Sequence, residues 1–527
     1  MTIAQNEIEA KLVAPDREEL EKLPRLLARL GEPAAATTFE SVQDIYLDTR
    51  DRLLLRAGAA CRIRTVNGRT FLTLKALTPP RNGICCRQET EEPLRIPPRS
   101  FPTPVPGRRT RRWLQPLLGR KRLHILFEVE QERRVWRVCT KDGSRVRVSA
   151  DTCRWRAGRR LAPEEASVEI ELEQGTAASL RSFAKKLQRL TGFERGVQSK
   201  FQRGLALIGT SVPVLEYDPA TFPRRKDRFA EAAWRVLRHQ LQCLVWYAPG
   251  AMLGLDPERL HGLRVAVRRL RSALRLFEGA IPARTAARLE NDLEWLGRTT
   301  GRMRDLDVLR RSLLENADRF GSGSDRIRKK LEQHLAREHA QARRVLLAAL
   351  GSRRFHSLLS YTRRLLRSDV PRTTLRTEPG SLRAKRVARK RLAKLLERTR
   401  QRAETLRPNA PARDYHRFRI AVKRLRYGLE FLAPVLDSEC ERFARKLAKI
   451  QDILGAHQDA TVACAVLDKT LARTTTAPLR TKRVGAAWPS LHAHHAKQAA
   501  KARRAFWKLW RKLGEEKFLQ RIEHVLE

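Results

Sequence analysis

Polar and apolar residues alternate strictly near the start of the chain, through Glu7, Ile8, Glu9, Ala10, Lys11 and Leu12. A period of two is the pattern of a strand with one buried face. It recurs in "QDIYLDT", "ACRIRTV", "RTFLTLKAL", "FEVEQERRVWRV", "SRVRVSAD" and "ASVEIELE", with turn signals such as "VNGR" and "KDGS" between them. Two helical patterns interrupt the strands. One is "DREELEKLPRLLARLG", acidic early and basic late, with Gly31 as the expected C-cap; the other is "AASLRSFAKKLQRLTG". The stretch 97–120 is rich in Pro and Arg and is expected to be a loop or insertion.

Beyond Pro213, Pro219 and Pro223 the period changes to 3.6, and the rest reads as helix with short breaks, among them "NADRFGSGSD" and "RTTTAPLRTKRVGAAWPS". This half repeats. "HGLRVAVRRLR" from His261 and "HRFRIAVKRLR" from His416 lie 155 residues apart, and "GRMRDLDV" and "GAHQDATV" lie 154 apart. Two matched blocks at nearly one offset predict two copies of a helical unit, stacked about a pseudo-two-fold axis. The expected organisation is a β-rich domain at 1–208, a linker at 209–226 and a helical domain at 227–522, whose repeats run about 227–370 and 381–522. The fold class is therefore α+β multidomain: an antiparallel β-barrel with flanking helices, then an all-α duplicated bundle.

Charge sharpens this picture. The 527 residues carry a net charge of +51. Residues 1–210 hold 40 Lys/Arg against 25 Asp/Glu, and the remainder 69 against 33. Such an excess points to a polyanionic partner: a phosphate polymer, a nucleic acid or an anionic membrane surface. No apolar run is long enough to span a bilayer. No secretory n- and h-region opens the sequence, and the eight cysteines form no C-x-x-C pair, so a cytoplasmic protein with reduced thiols and no zinc site is expected.

The strand faces carry the chemistry. Glu7, Glu9 and Lys11 share one face, as do Arg62 with Arg64, Thr73 with Lys75, Arg87 with Glu89 and Glu91, and Glu169 with Glu171 and Glu173. A solvated face is the ordinary reading of any single charged strand. With the apolar faces packed outward against helices, however, the charged faces would converge in the interior of a barrel of about eight strands, which can hold a small ligand. Mixed signs suit a metal–polyphosphate complex: carboxylates take the hard cation, and Lys and Arg take phosphate oxygens.

The "EIEAK" stretch, followed in order by "YLDT", "CRIR", "LTLK", "RQE", "ERRVW", "SAD", "VEIELE" and "SKFQRG", resembles the CYTH superfamily of triphosphate tunnel metalloenzymes over roughly residues 5–205. The resemblance implies metal-binding carboxylates at Glu7, Glu9, Asp151, Glu169 and Glu171. It implies phosphate-binding cations at Lys11, Arg62, Arg64, Lys75, Arg87, Arg133, Lys200 and Arg203, with catalysis resting on Glu7, Glu9, Lys11 and Lys75. The implied cofactor is Mg²⁺ or Mn²⁺, and the implied chemistry is attack on a phosphorus atom of a bound triphosphate. Water as the nucleophile gives hydrolysis; a ribose hydroxyl gives a cyclic nucleotide.

In the helical half, His261, Arg264, Arg268, Arg271 and Arg275 fall within an arc of about 80° on one helix, as do His416, Arg419, Lys423 and Arg426 on its copy. No matched acidic ladder is apparent at the i+4 positions. Together these motifs resemble the CHAD domain, the conserved-histidine α-helical domain, over roughly residues 226–520, which implies binding of inorganic polyphosphate. The low aromatic content, 6%, disfavours a groove for single-stranded nucleic acid, in which bases stack on rings. The expected protein hydrolyses inorganic triphosphate in its first domain and binds polyphosphate with its second, and would associate with polyphosphate granules. A CYTH-type adenylate cyclase, a non-catalytic polyphosphate scaffold and a nucleic-acid-binding protein are the alternatives. The oligomeric state is left open.

Overall fold

Period-two alternation requires every strand to bury one face, and a sheet that closes on itself does so without leaving edges. In the computed structural model eight strands close in this way: β1 (Gln5–Val13), β2 (Thr38–Asp48), β3 (Ala59–Val66), β4 (Arg69–Ala76), β5 (Cys85–Pro93), β6 (His124–Thr140), β7 (Arg145–Ala157) and β8 (Glu165–Gln174). They pair antiparallel in the order β6-β2-β3-β4-β5-β1-β8-β7, and β7 pairs back onto β6. The structure describes residues 5–33, 37–80, 83–95, 98, 100–196, 198–216, 218–315, 325–474 and 487–527. The predicted breaks at 316–324 and 475–486 lie outside the described residues.

The apolar faces point away from the lumen. Ala10 and Leu12 of β1, Val146 and Val148 of β7, and Val168 and Ile170 of β8 pack with Leu180, Phe183 and Leu187 of α1 (Ala177–Thr191). Cys61 and Ile63 of β3 and Leu72 and Leu74 of β4 pack with Leu114 and Leu118 of the helix Arg108–Leu118. A third cluster combines inward residues with a helix. Tyr46, Ala60, Phe127, Val129, Cys153 and Trp155 meet Phe201 and Leu205 of α2 (Lys200–Leu207) and fill one end of the barrel with apolar side chains. The close approach needs Gly204, because a Cβ there would lie 2.1 Å from the Phe127 ring.

Three local expectations change. The first predicted helix breaks at Lys22 into Glu18–Glu21 and Leu23–Ala28, because Pro24 can occupy only the first turn of a new helix. Gly31 is not its C-cap but begins the strand Gly31–Pro33, where a Cβ would sit 2.4 Å from the Cys139 carbonyl oxygen. The Pro/Arg-rich stretch is partly helical: Thr110, Leu114 and Leu118 recur at i, i+4 and i+8 and are buried, a stripe hidden among exposed arginines.

The chain forms two compact units, Met1–Leu215 with Trp246–Leu260, and Glu216–Val245 with His261–Glu527. Residues 246–260 thus cluster with the first unit although they fall within the 227–522 span. The repeat is visible in the elements. The helices α3 (Phe229–Leu253), α4 (Pro257–Leu276) and α5 (Ala283–Glu315) each have a counterpart starting 155 residues later, α6 (Ala384–Glu404), α7 (Ala412–Leu432) and α8 (Ser438–Thr474). Among the described residues no helix is long and apolar enough to cross a membrane.

The end plug generates a test of the barrel packing. Gly204→Ala should destabilise the first unit by about 1–3 kcal/mol through overpacking against Phe127. Urea denaturation followed by Trp fluorescence reads the effect, and an unchanged midpoint would contradict the packing described.

Candidate functional site

The inward faces enclose a cavity of about 350 Å³. Ten of the residues expected from sequence line it: Glu7, Glu9, Arg62, Arg64, Lys75, Arg87, Arg133, Glu169, Glu171 and Lys200. Tyr46, Glu89, Glu91, Arg147 and Ser149 complete much of the wall. The signs are unevenly placed, with Glu89 and Glu91 as the acids on the cation strands. The carboxylates Glu7, Glu9, Glu169 and Glu171 come from the adjacent strands β1 and β8, where Glu9 stands directly opposite Glu171. The cations come from β3, β4, β5, β6, β7 and α2.

Each cation is held by carboxylates. The Lys75 ammonium lies between Glu7, Glu9 (3.2 Å) and Glu89 (3.8 Å). Burial opposes its charge, but the field of Glu9, Glu7 and Glu89 keeps it protonated well above the ordinary lysine range. Arg87 donates to Glu9 at 2.9 Å. Arg64 donates in bidentate fashion to Asp44 at 2.7 and 2.8 Å, and Arg62 reaches Asp44 and Glu89 at 3.2 Å each. Gln131 donates to the same Asp44 carboxylate at 2.8 Å. Burial alone would protonate Asp44; Arg62 and Arg64 instead hold it well below the usual carboxylate range.

Three expected site residues stand away from the cavity wall. Asp151 is 0% exposed and lies behind the wall, accepting from Arg133 at 2.6 and 2.9 Å and from Lys200 at 2.6 Å. In this arrangement it positions two cations, which also reach Glu169 at 3.1 and 2.8 Å. Lys11 shares the inward parity of Glu7 and Glu9, but its ammonium is drawn to Glu165 at 2.7 Å and the Gln198 carbonyl oxygen at 3.2 Å. Arg203 meets the same Glu165 at 3.2 Å and stacks over Trp155. Asp44 was missed in the sequence. Its signal was available, since it shares the parity of Tyr46 in a strand whose other face, Ile45 and Leu47, is apolar. Arg147 shared a face with Ser149 and Asp151 and was likewise not assigned.

The wall of β1 and β8 fits a hard cation. Among the described residues no three carboxylates converge as they stand into a ready-made metal site, and Lys75 lies between Glu7 and Glu9. Glu171 faces both carboxylates from the neighbouring strand. Burial, then Glu7, push its carboxyl up to about 7, against the opposing field of Arg147. The Arg147 guanidinium is 3.7 Å away. The donor set of Glu7, Glu9 and Glu171 is the oxygen chemistry that a divalent ion takes.

In the second unit, α4 and α7 bring part of the two basic ladders together. Lys423 is pushed down to about 7, first by burial and then by Arg268, Arg419, Arg426 and Arg264. Burial likewise lowers Arg419. The buried Nε atoms of Arg268 and Arg419 have no hydrogen-bond partner among the described residues. The outer members differ. Arg271 and Arg275 both reach Glu290 at 2.9 Å, and Arg426 meets Glu430 at 3.5 Å, so acids do neutralise the ends of the ladders. His416 Nδ1 lies 2.9 Å from Gln458 Oε1, which places it at the edge of the cationic centre, and His261 occupies the matching position on α4.

The comparisons with known proteins follow the same division. Residues 5–205 match the model of the CYTH domain and residues 235–468 that of the CHAD domain. A CHAD domain from the plant Ricinus communis is similar at 27% identity, covering 57% of this chain and 97% of its own, with a TM-score of 0.46. PptA from Streptomyces chartreusis is similar at 20% identity over 54% of this chain and 100% of its own, with a TM-score of 0.44. A putative adenylyl cyclase from Hippeastrum, HpAC1, described as having a dominant triphosphatase activity, is similar at 18% identity over 40% of this chain and 100% of its own, with a TM-score of 0.30. The chain thus carries a CYTH domain at residues 5–205 followed by a CHAD domain at residues 235–468.

Proposed function

We propose that the barrel hydrolyses inorganic triphosphate with the help of Mg²⁺ or Mn²⁺, and that the ladders of the helical unit bind inorganic polyphosphate. The observation that carries the first part is the convergence of charge in one lumen: four acids on β1 and β8, Glu89 and Glu91 on β5, and six cations from β3, β4, β5, β6 and α2. A linear triphosphate entering it meets Arg62, Arg64, Lys75, Arg87, Arg133 and Lys200 within one cavity. Its oxygens can replace the carboxylates that now hold these cations, so the cradle is charged and oriented before substrate arrives. Asp44 and Asp151 remain behind as fixed counter-charges and keep Arg62, Arg64, Arg133 and Lys200 aimed. Glu7, Glu9 and Glu171 would hold the divalent ion, which supplies Lewis acidity toward phosphate oxygens. The cations around the terminal phosphate stabilise the charge that spreads over its oxygens as the bond to the bridging oxygen breaks and water adds.

The buried cations of the helical centre support the second part. Arg268, Arg419 and Lys423 are held together beside Arg264 and Arg426, at a cost that a bound polyanion would lower. A flexible phosphate chain needs no ring to stack on. Polyphosphate held there raises the local concentration of phosphate chains around the enzyme and places it on polyphosphate granules in the cytoplasm.

Two measurements test these readings. Lys75→Met should lower the rate of phosphate release from tripolyphosphate about 10²–10³-fold with Mg²⁺ or Mn²⁺ at a temperature where circular dichroism shows the variant folded, and should also lower the melting temperature, since Glu7, Glu9 and Glu89 lose their shared counter-charge. Undiminished turnover in this variant, or cyclic AMP as the main product from ATP and Mn²⁺, would overturn hydrolysis in the lumen. The second measurement is the pH dependence of polyphosphate binding. In the free protein Lys423 loses its proton above about 7. A polyanion favours the charged form, so binding takes up a proton. Affinity should therefore fall as pH rises from 7.5 to 9.5, by up to about tenfold per unit. The charges that face it are Arg264 and Arg268 on α4 and Arg419 and Arg426 on α7. Lys423→Met should flatten the profile; an equally steep profile in the variant would refute the role given to Lys423.

A further inference from the structure

We propose that a second phosphate-polymer groove runs between α6 and α7, on a side of α7 turned away from the ladder of His416, Arg419, Lys423 and Arg426. Two cavities, of about 270 and 430 Å³, share Leu395, Arg398 and Arg424 and so form one trough. Its floor is smooth and apolar, built from Leu395, Ile420, Ala421 and Gly428. The floor is narrow at Gly428, where a Cβ would lie 2.7 Å from Leu392. Its walls carry Arg391, Lys394, Arg398 and Arg402 from α6 and Arg417 and Arg424 from α7, and one end is closed by Arg275 of α4 and Glu278. On α7, Arg417 and Arg424 lie roughly 135° around the helix from the centre of the ladder. The trough is therefore a track distinct from the α7 ladder, and it meets the α4 ladder only at its outer end, at Arg275.

The wall cations are available. Among the described residues Lys394, Arg398, Arg402 and Arg424 form no ion pair. Arg417 has one distant carboxylate, Asp414 at 3.4 Å, and Arg391 donates to the Glu278 carbonyl oxygen at 3.0 Å. Burial and then the fields of Arg275, Arg398 and Arg271 disfavour the charge on Arg424, as expected where like charges await a counterion.

The internal repeat shows that the fold does not require these charges. At the positions 155 residues earlier the first copy has Val236, His239, Cys243 and Tyr247 in place of the four cations of α6, and Gly262 in place of Arg417. Only Arg269 matches Arg424. Val236 and Cys243 are buried, at 3% and 8% exposure, whereas Lys394, Arg398 and Arg402 are exposed. One helical unit thus folds with neutral residues there, and the other presents a row of cations spaced at helical turns along an open trough.

The occupant is a condensed phosphate chain. The trough has no aromatic wall on which nucleobases could stack, which a groove for single-stranded nucleic acid usually supplies. Cations at successive turns, about 5.4 Å apart, can grip a flexible chain at many points. The proposal rests on the reading of this unit as a polyphosphate binder and adds a second track to it.

The test uses the full chain, long-chain sodium polyphosphate and a series of salt concentrations. Arg398→Gln, Arg402→Gln and Arg417→Gln combined should weaken binding. They should also flatten the plot of log affinity against log salt by about 2, as three lost phosphate contacts would. The matching Lys substitutions should retain most of both. The side chains are exposed, so the melting temperature should not move. Ladder substitutions, Arg268→Gln with Lys423→Met, should leave a residual binding mode that the trough substitutions remove. Loss in the trough variant but none in the ladder variant would overturn the ladder reading and leave the trough standing. An unchanged affinity and salt slope in the trough variant would overturn the trough. Displacement of polyphosphate by poly(U) at equal phosphate concentration would overturn its assigned occupant.

Discussion

The structure depends on carboxylates buried between two cations. Asp44 sits beneath Arg62 and Arg64, and Asp151 beneath Arg133 and Lys200; both carboxylates are 0% exposed. A single charge in such a place would be too costly to keep. An acid shared by two bases, with its remaining lone pairs filled by Gln131 or by a second guanidinium nitrogen, offsets that cost and leaves a net positive face toward the lumen. The clamps let a β-barrel interior hold charge without collapsing, and they make each cation rigid. Substrate does not have to order these side chains.

The two units solve the problem of crowded charge in different ways. In the barrel, opposite signs interleave: Lys75 bridges Glu7, Glu9 and Glu89, and the lattice is close to balanced without a ligand. In the helical unit the centre is cationic. Glu290 and Glu430 neutralise its margins, while Lys423, among four arginines, is left half-willing to carry its proton. The first arrangement is suited to a short ligand that must be gripped in one orientation. The second is suited to a long one whose charge, rather than shape, is recognised. A soft apolar floor with cations only on its walls, as between α6 and α7, extends the same logic.

Much of the lumen was legible because β-strand geometry is periodic. Once Ile8, Ala10 and Leu12 are assigned to the outer wall, Glu7, Glu9 and Lys11 have nowhere to go but inward, and the same holds for Arg62 with Arg64 and for Glu169 with Glu171. The repeat in the helical half was legible as two motif blocks recurring at offsets of 155 and 154, and the structure carries the 155 offset into three helix starts. What failed was what parity does not encode. Lys11 has the right face, yet its long side chain swings to Glu165, and Asp151 lies one layer behind the cavity. The helix Arg108–Leu118 was hidden because its four arginines and Pro116 outweigh the three buried positions that make it amphipathic.

The sequence by itself determined the alternation that turns charges inward, the identity of the basic ladders and their duplication, since these follow from side-chain direction at fixed periods of 2 and 3.6. Only the tertiary structure decided which inward charges meet. Pairings such as Arg64 with Asp44, Lys200 with Asp151 and Lys423 with Arg268 join residues 20, 49 and 155 positions apart. They depend on strand order, on the placement of α2 at the barrel end and on the packing of α4 against α7. Electrostatic interaction in a buried site falls off within a few ångströms, and distances that short are set by the fold rather than by spacing along the chain.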